Sequence, residues 1–163
     1  MLLALLLSAT VLGPADVESL TAAADAVVYG QVVRRSSGWA PGGGQIFTTV
    51  TLRPIEIWKG AFAGEVAVLV PGGEVGDLSQ TVQGAAAFAD AQEVVVFLHR
   101  RAPGTYGVER LALGKFAVGA PAGLPKRALR DRRGLMCLRC GPAESDDLPL
   151  DELRARVLAS VRR

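Results

Sequence analysis

The chain has 163 residues, and its 18 lysines and arginines against 16 aspartates and glutamates give a net charge of +2 at pH 7. Half of the residues are hydrophobic and 21% are charged, which suits a single globular domain with one core and no need of metals. So mild a charge excludes a surface that is basic throughout. After the first residues no apolar run reaches the length of about 18 residues that a membrane helix needs.

The first 15 residues have the character of a secretory signal peptide. Residues 1–13 carry no charge, and their apolar core has the length of a secretory hydrophobic region. Gly13 and Ala15 form a small-x-small pair, so we expect cleavage after Ala15 and a secreted, periplasmic or cell-surface protein. The basic residues that usually precede such a segment are missing, and a buried core helix is the alternative interpretation.

Two helices are predicted, one at each end of the remaining chain. Residues 16–25 predict a short helix, because Asp16 can accept a hydrogen bond as N-cap and Glu18 lies favourably in the first turn. Residues 150–163 predict an amphipathic helix. Its apolar face consists of Leu150, Leu153, Val157 and Val161.

Residues 26–118 are predicted to form strands separated by glycine. Val66, Val68 and Val70 alternate with other residues, which predicts a half-buried strand. Residues 94–98 are apolar at every position, so we expect a central strand that is covered on both faces. Three glycines at 42–44 predict a hairpin connection. These patterns predict a mostly β protein, a small closed OB-like β-barrel of five to six strands with the two helices at its flanks.

A change of parity marks a bend within this region. Ile46, Val50 and Leu52 fall on even positions, whereas Ile55 and Ile57 fall on odd ones. Side chains change faces in this way only where one residue is added to a strand, so we predict a β-bulge around Arg53 and Pro54. Such a bulge is what a small barrel uses to turn a corner.

The order of these segments resembles a known family. The segments are A-D-A-V-V-Y-G-Q-V at 24–32, T-V-T-L-R-P-I-E-I-W-K-G at 49–60, E-V-V-V-F-L at 93–98 and G-K-F-A-V at 114–118. Together they resemble the tissue inhibitor of metalloproteinases and netrin-like (NTR) module. They are also similar to secreted bacterial proteins that carry a P-G-G-E-x-G loop, here at 71–76. The resemblance implies an OB-like barrel over 16–118. The stretch 119–149 has no clear period and is rich in proline, glycine and arginine, so we expect an irregular basic loop there, before the C-terminal helix.

The resemblance implies a secreted, non-enzymatic binding or accessory module. Its partner would be a protein, such as a secreted metalloprotease that it contacts or modulates. The N-terminal cysteine with which the animal inhibitors bind the protease zinc has no counterpart, since the chain has no cysteine before Cys137. Contact would therefore fall to exposed loops. The candidate residues in these loops are Trp39, Pro71, Gly72, Gly73, Glu74 and Gln80.

A basic stretch at 126–133 supports an alternative function. OB-like barrels bind single-stranded nucleic acids and other polyanions through basic grooves. The candidate contacts are Lys126, Arg127, Arg130, Arg132 and Arg133. Aromatic residues are few and export is expected, so nucleic acid is the less favoured partner, and a solvated basic loop remains the simpler interpretation.

The only two cysteines, Cys137 and Cys140, form a C-x-x-C pair. In an exported protein the pair most simply forms a local disulfide. A zinc site would need two further ligands. A thioredoxin-like redox role would need the pair at the start of a helix after a strand. Both remain alternatives.

Catalytic chemistry finds little support in the sequence. His99 is the single histidine, and no serine or cysteine nucleophile occurs in a recognisable motif that it could serve as base. An enzyme built from carboxylates distant in sequence is the remaining alternative. We therefore expect a protein that is not an enzyme and has no catalytic, cofactor-binding or metal-binding residues.

Overall fold

The computed structural model of the chain describes residues 15–132, 135 and 146–163. This part of the chain is mostly β, as predicted, with ten strands and two α-helices. The expected count of five to six strands is therefore too low. The strands are β1 (Ala26–Trp39), β2 (Ile46–Lys59), β3 (Val66–Pro71), β4 (Gly73–Val75), β5 (Leu78–Gln80), β6 (Glu93–Ala102), β7 (Thr105–Val108), β8 (Lys115–Gly119), β9 (Arg127–Arg130) and β10 (Asp147–Pro149). The helices are α1 (Val17–Ala23) and α2 (Leu150–Val161), and Leu111–Gly114 forms a short 3₁₀ helix.

Eight of the strands form one large sheet, in the order β1-β2-β3-β7-β6-β8-β9-β10. Strand β1 pairs with β2 and also with β6, the latter along Ala26–Gln31. All pairings in this sheet are antiparallel except that of β3 with β7. Strands β4 and β5 form a separate hairpin. This hairpin lies in the glycine-rich segment between β3 and β6.

Strand β6 separates two hydrophobic clusters. Val94, Val96 and Leu98 pack in a first cluster, with side chains of β2 and β3. Val95 and Phe97 face the other way and pack in a second cluster, under α1 and α2. All five side chains are fully buried, so the predicted central strand covered on both faces is confirmed. The run is apolar at every position because each face meets a different cluster.

The predicted bulge lies within one residue of its expected place. Pro54 pairs with Gly30 and Glu56 pairs with Tyr29, so that Ile55 is the extra residue. A Cβ on Gly30 would lie 2.7 Å from the carbonyl oxygen of Arg53, which explains the glycine opposite the bulge.

The change of parity would place the isoleucines after the bulge on the buried face, but they do not lie there. Ile55 and Ile57 are 51% and 40% exposed. Trp58 is the buried residue, and it packs in the second cluster, whereas Val50 and Leu52 pack in the first. The bulge thus allows one long strand to serve both clusters.

Both predicted helices are present. Asp16 caps α1, since its Oδ1 accepts a hydrogen bond of 2.7 Å from the amide of Ser19. On α2 the predicted apolar face is buried at Leu150, Leu153 and Val157, while Val161 is exposed near the end of the helix. No helix in the described residues is long and apolar enough to cross a membrane.

The described part of the stretch 119–149, which was expected to be an irregular loop, contains two short strands. β9 pairs with β8, and β10 pairs with β9 at the edge of the sheet. In β9 the buried Ala128 alternates with the exposed Leu129. Because the apolar residue with the larger side chain is on the solvent face, the strand has no visible apolar period in the sequence.

Candidate functional site

A groove with a volume of about 320 Å³ lies where the β4–β5 hairpin packs against β1, β2 and the end of β3. Its walls include Arg35, Thr48 and residues 85–88. Five of the six residues expected to contact a partner lie along it, which are Pro71, Gly72, Gly73, Glu74 and Gln80. The structure therefore brings together loop residues that the sequence could only place on a turn.

Hydrogen bonds fix the β4–β5 hairpin to the start of β2. The amide of Ile46 donates to Gln80 Oε1 at 2.6 Å, and the carbonyl of Ile46 accepts from the amide of Gly72 at 2.8 Å. Thr48 Oγ1 donates to the carbonyl of Gly72 at 2.8 Å. Gly72 has φ of +95°, a value that favours glycine. Gly72 and Gln80 thus position the hairpin, whereas the side chain of Glu74 is exposed.

Arg35, on the wall of the groove, forms an ion pair with Asp90. The guanidinium of Arg35 donates from Nε and Nη2 to the two carboxylate oxygens of Asp90, at 2.7 and 2.9 Å, and from Nη1 to the carbonyl of Phe88 at 3.0 Å. The hydrogen bonds from Arg35 lower the pKa of Asp90, and those same bonds raise the pKa of Arg35. Arg35 and Asp90 are 55 residues apart, and no local pattern in the sequence indicated the pair.

Two large apolar side chains are exposed on the elements that form the groove. Trp39, at the end of β1, is 48% exposed, and Leu78, at the start of β5, is 59% exposed. Neither is among the residues that line the groove. Trp39 was expected to contact a partner, and it lies on the same strand as Arg35 rather than on the groove wall itself. Leu78 was not singled out from the sequence.

The described cations of the basic stretch at 126–133 form contacts with acidic residues of the chain itself. Lys126 Nζ donates to Glu93 Oε2 at 2.7 Å and to the hydroxyl of Tyr29 at 2.8 Å, and that hydroxyl also donates to Glu93. The bonds to Glu93 and Tyr29 raise the pKa of Lys126 to about 12. Lys126 is thus bound to the sheet through the carboxylate of Glu93. The two residues are 33 positions apart, so no local pattern in the sequence indicates the contact.

The arginines of this stretch are also engaged within the chain. Arg127 contacts Asp147 at 2.7 Å and Arg132 contacts Asp146 at 2.6 Å. The side chain of Arg130 is fully buried, with its guanidinium 4.5 Å from the ring centroid of Phe116 and 3.4 Å from Asp146 Oδ1. Burial lowers the pKa of Arg130 to about 10. Each cation described here therefore has an acidic neighbour, and Arg133 lies outside the described residues.

The remaining candidates are His99 and the two cysteines. His99 Nδ1 lies 3.3 Å from Glu109 Oε2, and the ring is beside a cavity of about 90 Å³. The described residues that line this cavity include no serine, threonine or cysteine. Cys137 and Cys140 lie outside the described residues. Within residues 15–132, 135 and 146–163, no three histidine, cysteine, aspartate or glutamate side chains come together as metal ligands.

Lys115 is a buried amine that was not predicted to be a functional residue. In the sequence it is only part of the G-K-F-A-V strand segment. It lines a cavity of about 460 Å³ beside Phe88 and Gln92. Its Nζ donates to the carbonyl of Ala87 at 2.6 Å and to Gln92 Oε1 at 3.3 Å. Burial lowers the pKa of Lys115. These hydrogen bonds attach the segment before β6 to β8, so Lys115 has a structural role.

Comparisons of the chain with protein-family models, with curated proteins and with solved structures give no match.

Proposed function

We propose that the protein is a secreted, non-enzymatic binding module that contacts a protein partner through the groove and the β4–β5 hairpin. The observation that carries the proposal is the placement of Pro71, Gly72, Gly73, Glu74 and Gln80 along one groove. The hairpin is held by hydrogen bonds to Ile46 and Thr48, and a loop fixed on a rigid scaffold is a common form of binding site. The exposed Trp39 and Leu78 nearby add apolar area of the kind that binding surfaces use.

The proposed architecture is an OB-like closed barrel of the netrin and metalloproteinase-inhibitor type. It is supported by the pairing order, because β1-β2-β3-β7-β6 returns to β1 through the pairing of β6 with β1. Five strands in this cyclic order match the strand number of an OB-fold. Strands β8, β9 and β10 then extend the sheet beyond β6.

The proposed partner is a secreted metalloprotease, and this part rests on the family resemblance. The zinc-binding N-terminal cysteine of that family has no equivalent here. If cleavage occurs after Ala15, the new terminal residue Asp16 still caps α1 through its side chain. We therefore place the contact on the groove and hairpin rather than on the N-terminus, so that the module would modulate the protease without binding its zinc.

The polyanion alternative receives little support from the geometry. Phosphate binding requires cations that are free to replace counterions, whereas Lys126, Arg127 and Arg132 each have a carboxylate within 2.7 Å. A salt titration separates the two functions. Affinity for heparin or single-stranded DNA that falls steeply between about 50 and 200 mM salt would favour the polyanion function.

The decisive experiment is capture with the purified, immobilised protein from the culture supernatant of its source organism. Captured proteins are identified by mass spectrometry and their binding is repeated with purified components. Leu78→Ser on the hairpin is compared with Ile55→Ser. Ile55 is 51% exposed, against 59% for Leu78, and it lies at the bulge of β2 and does not line the groove. We expect Leu78→Ser to weaken binding about tenfold and Ile55→Ser to leave it unchanged.

Two outcomes would remove parts of the proposal. If Leu78→Ser and Ile55→Ser weaken binding equally, the hairpin is not the contact surface. If the protein inhibits or binds no member of a panel of secreted zinc endopeptidases, the metalloprotease part is wrong. A purified partner of another class would then retain the binding function alone.

A further inference from the structure

The outer edge of β1 has no partner strand along its second half. β1 pairs with β2 from Val27 to Trp39, but with β6 only along Ala26–Gln31. Val32 still exchanges hydrogen bonds at this edge, with the amide of Ala91 and the carbonyl of Gln92. Beyond Val32 the described part of the chain supplies no strand to the edge of β1 that faces away from β2.

The direction of the unpaired groups follows from the ladder. The amide of Ala40 donates to the carbonyl of Gln45 at 2.7 Å, so the main chain of Ala40 points toward β2. Main-chain groups alternate in direction along a strand. The amides and carbonyls of Arg35, Ser37 and Trp39 therefore point away from β2. The carbonyl of Ile46, opposite Trp39, bonds to Gly72 on the β3 side, which agrees with this assignment.

We propose that this edge binds an extended segment of the protein partner, which adds to the sheet as an antiparallel strand beside residues 35–39. The inference rests on the proposed function and names what the partner contributes. Unpaired amides and carbonyls that repeat about every 7 Å match the main chain of another strand. Natural proteins usually cover or pair such an edge. The edge is continuous with the groove, since Arg35 lines the groove and Gly73 of the hairpin lies so close to Ser37 that a Cβ on Gly73 would be 2.5 Å from Ser37 Oγ.

The side chains along the edge indicate the chemistry of the added segment. Arg34 is exposed and has no acidic partner among the described residues, whereas Arg35 is held by Asp90. Trp39 provides an exposed aromatic ring at the other end. An antiparallel segment would thus begin with an apolar residue beside Trp39 and end with a carboxylate beside Arg34.

A second copy of the chain fits this edge less well than a peptide does. Two identical antiparallel strands are related by a two-fold axis perpendicular to the sheet. The axis would pass near Ser37, which is also where Gly73 of the β4–β5 hairpin packs on one face. Both hairpins would then lie on the same face, side by side, one strand spacing of about 5 Å apart. An extended peptide brings no such hairpin.

Amide hydrogen exchange of the full chain tests the premise. We expect the amides of Ser37 and Trp39 to exchange rapidly, and those of Ser36 and Gly38, which face β2, to be protected by about a hundredfold or more. Equal protection of all four amides would overturn the inference, because the edge would then be covered by another part of the chain.

A synthetic probe tests the binding itself. The peptide Ile-Phe-Thr-Thr-Val-Asp copies the strand that already pairs with residues 34–39, with aspartate in place of its last threonine so that it lies opposite Arg34. Binding is followed by amide shifts and by the fluorescence of Trp39. The third residue would face Ser37, so N-methylation there should weaken binding about tenfold or more. N-methylation of the fourth residue, whose amide points away from β1, should have no effect.

Variants of the protein complete the test. Ser37→Pro removes the outward amide, and Ser37→Ala, the matched control, retains it. Binding of the peptide by Ser37→Ala and not by a folded Ser37→Pro supports the inference, as does loss of binding by the peptide methylated at its third residue alone. No binding by the native chain at about 1 mM peptide, or equal binding of the two methylated peptides, overturns it. These results do not depend on capture of a natural partner, and a natural partner that binds Ser37→Pro normally would leave the proposed function intact.

Discussion

Lys126 lies 2.7 Å from Glu93 Oε2, and this contact joins the segment before β9 to the first residue of β6. Tyr29 of β1 completes the group, since its hydroxyl accepts from Lys126 and donates to Glu93. A cation expected to be free for a polyanion is therefore part of the internal bonding of the sheet.

Glu93→Gln should lower the pKa of Lys126 from about 12 toward its ordinary value of 10.5. A raised pKa in the folded state means that the stabilisation is complete below pH 10.5 and is lost as the pH rises through about 12. The variant should therefore be less stable by about 0.5–1 kcal/mol at pH 9, a modest value because Lys126 is partly exposed. Urea unfolding at several pH values measures the difference, which should vanish at high pH. Identical curves for both proteins at pH 9 would contradict the assignment.

Glu18 of α1 and Arg156 of α2 form a second testable pair, with two hydrogen bonds of 2.8 and 2.7 Å. The bond from Arg156 lowers the pKa of Glu18 below its ordinary value of 4.5. Its stabilisation is therefore present above pH 4.5 and is lost as the pH falls through the lower folded value. Glu18→Gln should cost about 0.5–1 kcal/mol at pH 7 and nothing in strong acid. Glu65→Gln serves as control, because Glu65 lies 3.9 Å from Arg53 and should cost less.

Arg130 and Asp146 should respond unequally to substitution. Asp146→Asn leaves the buried Arg130 without its carboxylate and should cost about 3 kcal/mol. Arg130→Met removes the buried charge and should cost less than about 1 kcal/mol, or even stabilise the protein. Urea unfolding of both variants and of the double variant measures the coupling. A larger loss for Arg130→Met than for Asp146→Asn would show that the guanidinium is better satisfied than its 3.4 Å contact with Asp146 indicates.

Gly73 and Gly38 provide a matched pair on the two elements that meet beside the groove. Gly73 has φ of +142°, and a Cβ there would collide with the side chains of Thr48 and Ser37. Gly73→Ala should therefore displace the β4–β5 hairpin and cost about 1–3 kcal/mol. A Cβ on Gly38 would meet no atom within 4 Å, so Gly38→Ala should be close to neutral. Thermal unfolding compares the two, and equal midpoints would mean that the hairpin adapts without cost.

The sequence predicted elements where local pattern and packing agree. The alternation of Val66, Val68 and Val70 predicts a half-buried strand, and β3 has alternating burial. The apolar run at 94–98 predicts a central strand, and β6 lies inside the large sheet. Each of these elements is fixed by residues that are adjacent in the chain.

Sequence reasoning failed where long-range contacts decide the outcome. Ile55 and Ile57 follow the parity change but face solvent, whereas Trp58 packs in the second cluster. The pairings of Arg35 with Asp90 and of Lys126 with Glu93 join residues 55 and 33 positions apart. A local sequence pattern does not indicate which of the many charged surface residues will form an ion pair with each other. The groove itself could not be foreseen, since it depends on where the hairpin packs rather than on its composition.

Strand β6 has a consequence for how the molecule unfolds. Its five buried residues belong alternately to the two clusters, so neither cluster can be disrupted while the other keeps its full set of contacts. The chain should therefore melt as one cooperative unit, with calorimetric and van't Hoff enthalpies that agree. Loss of packing in the second cluster, beneath α1 and α2, should therefore also loosen the first cluster on the opposite side of the sheet. The rigidity of the groove then depends in part on side chains that do not line it.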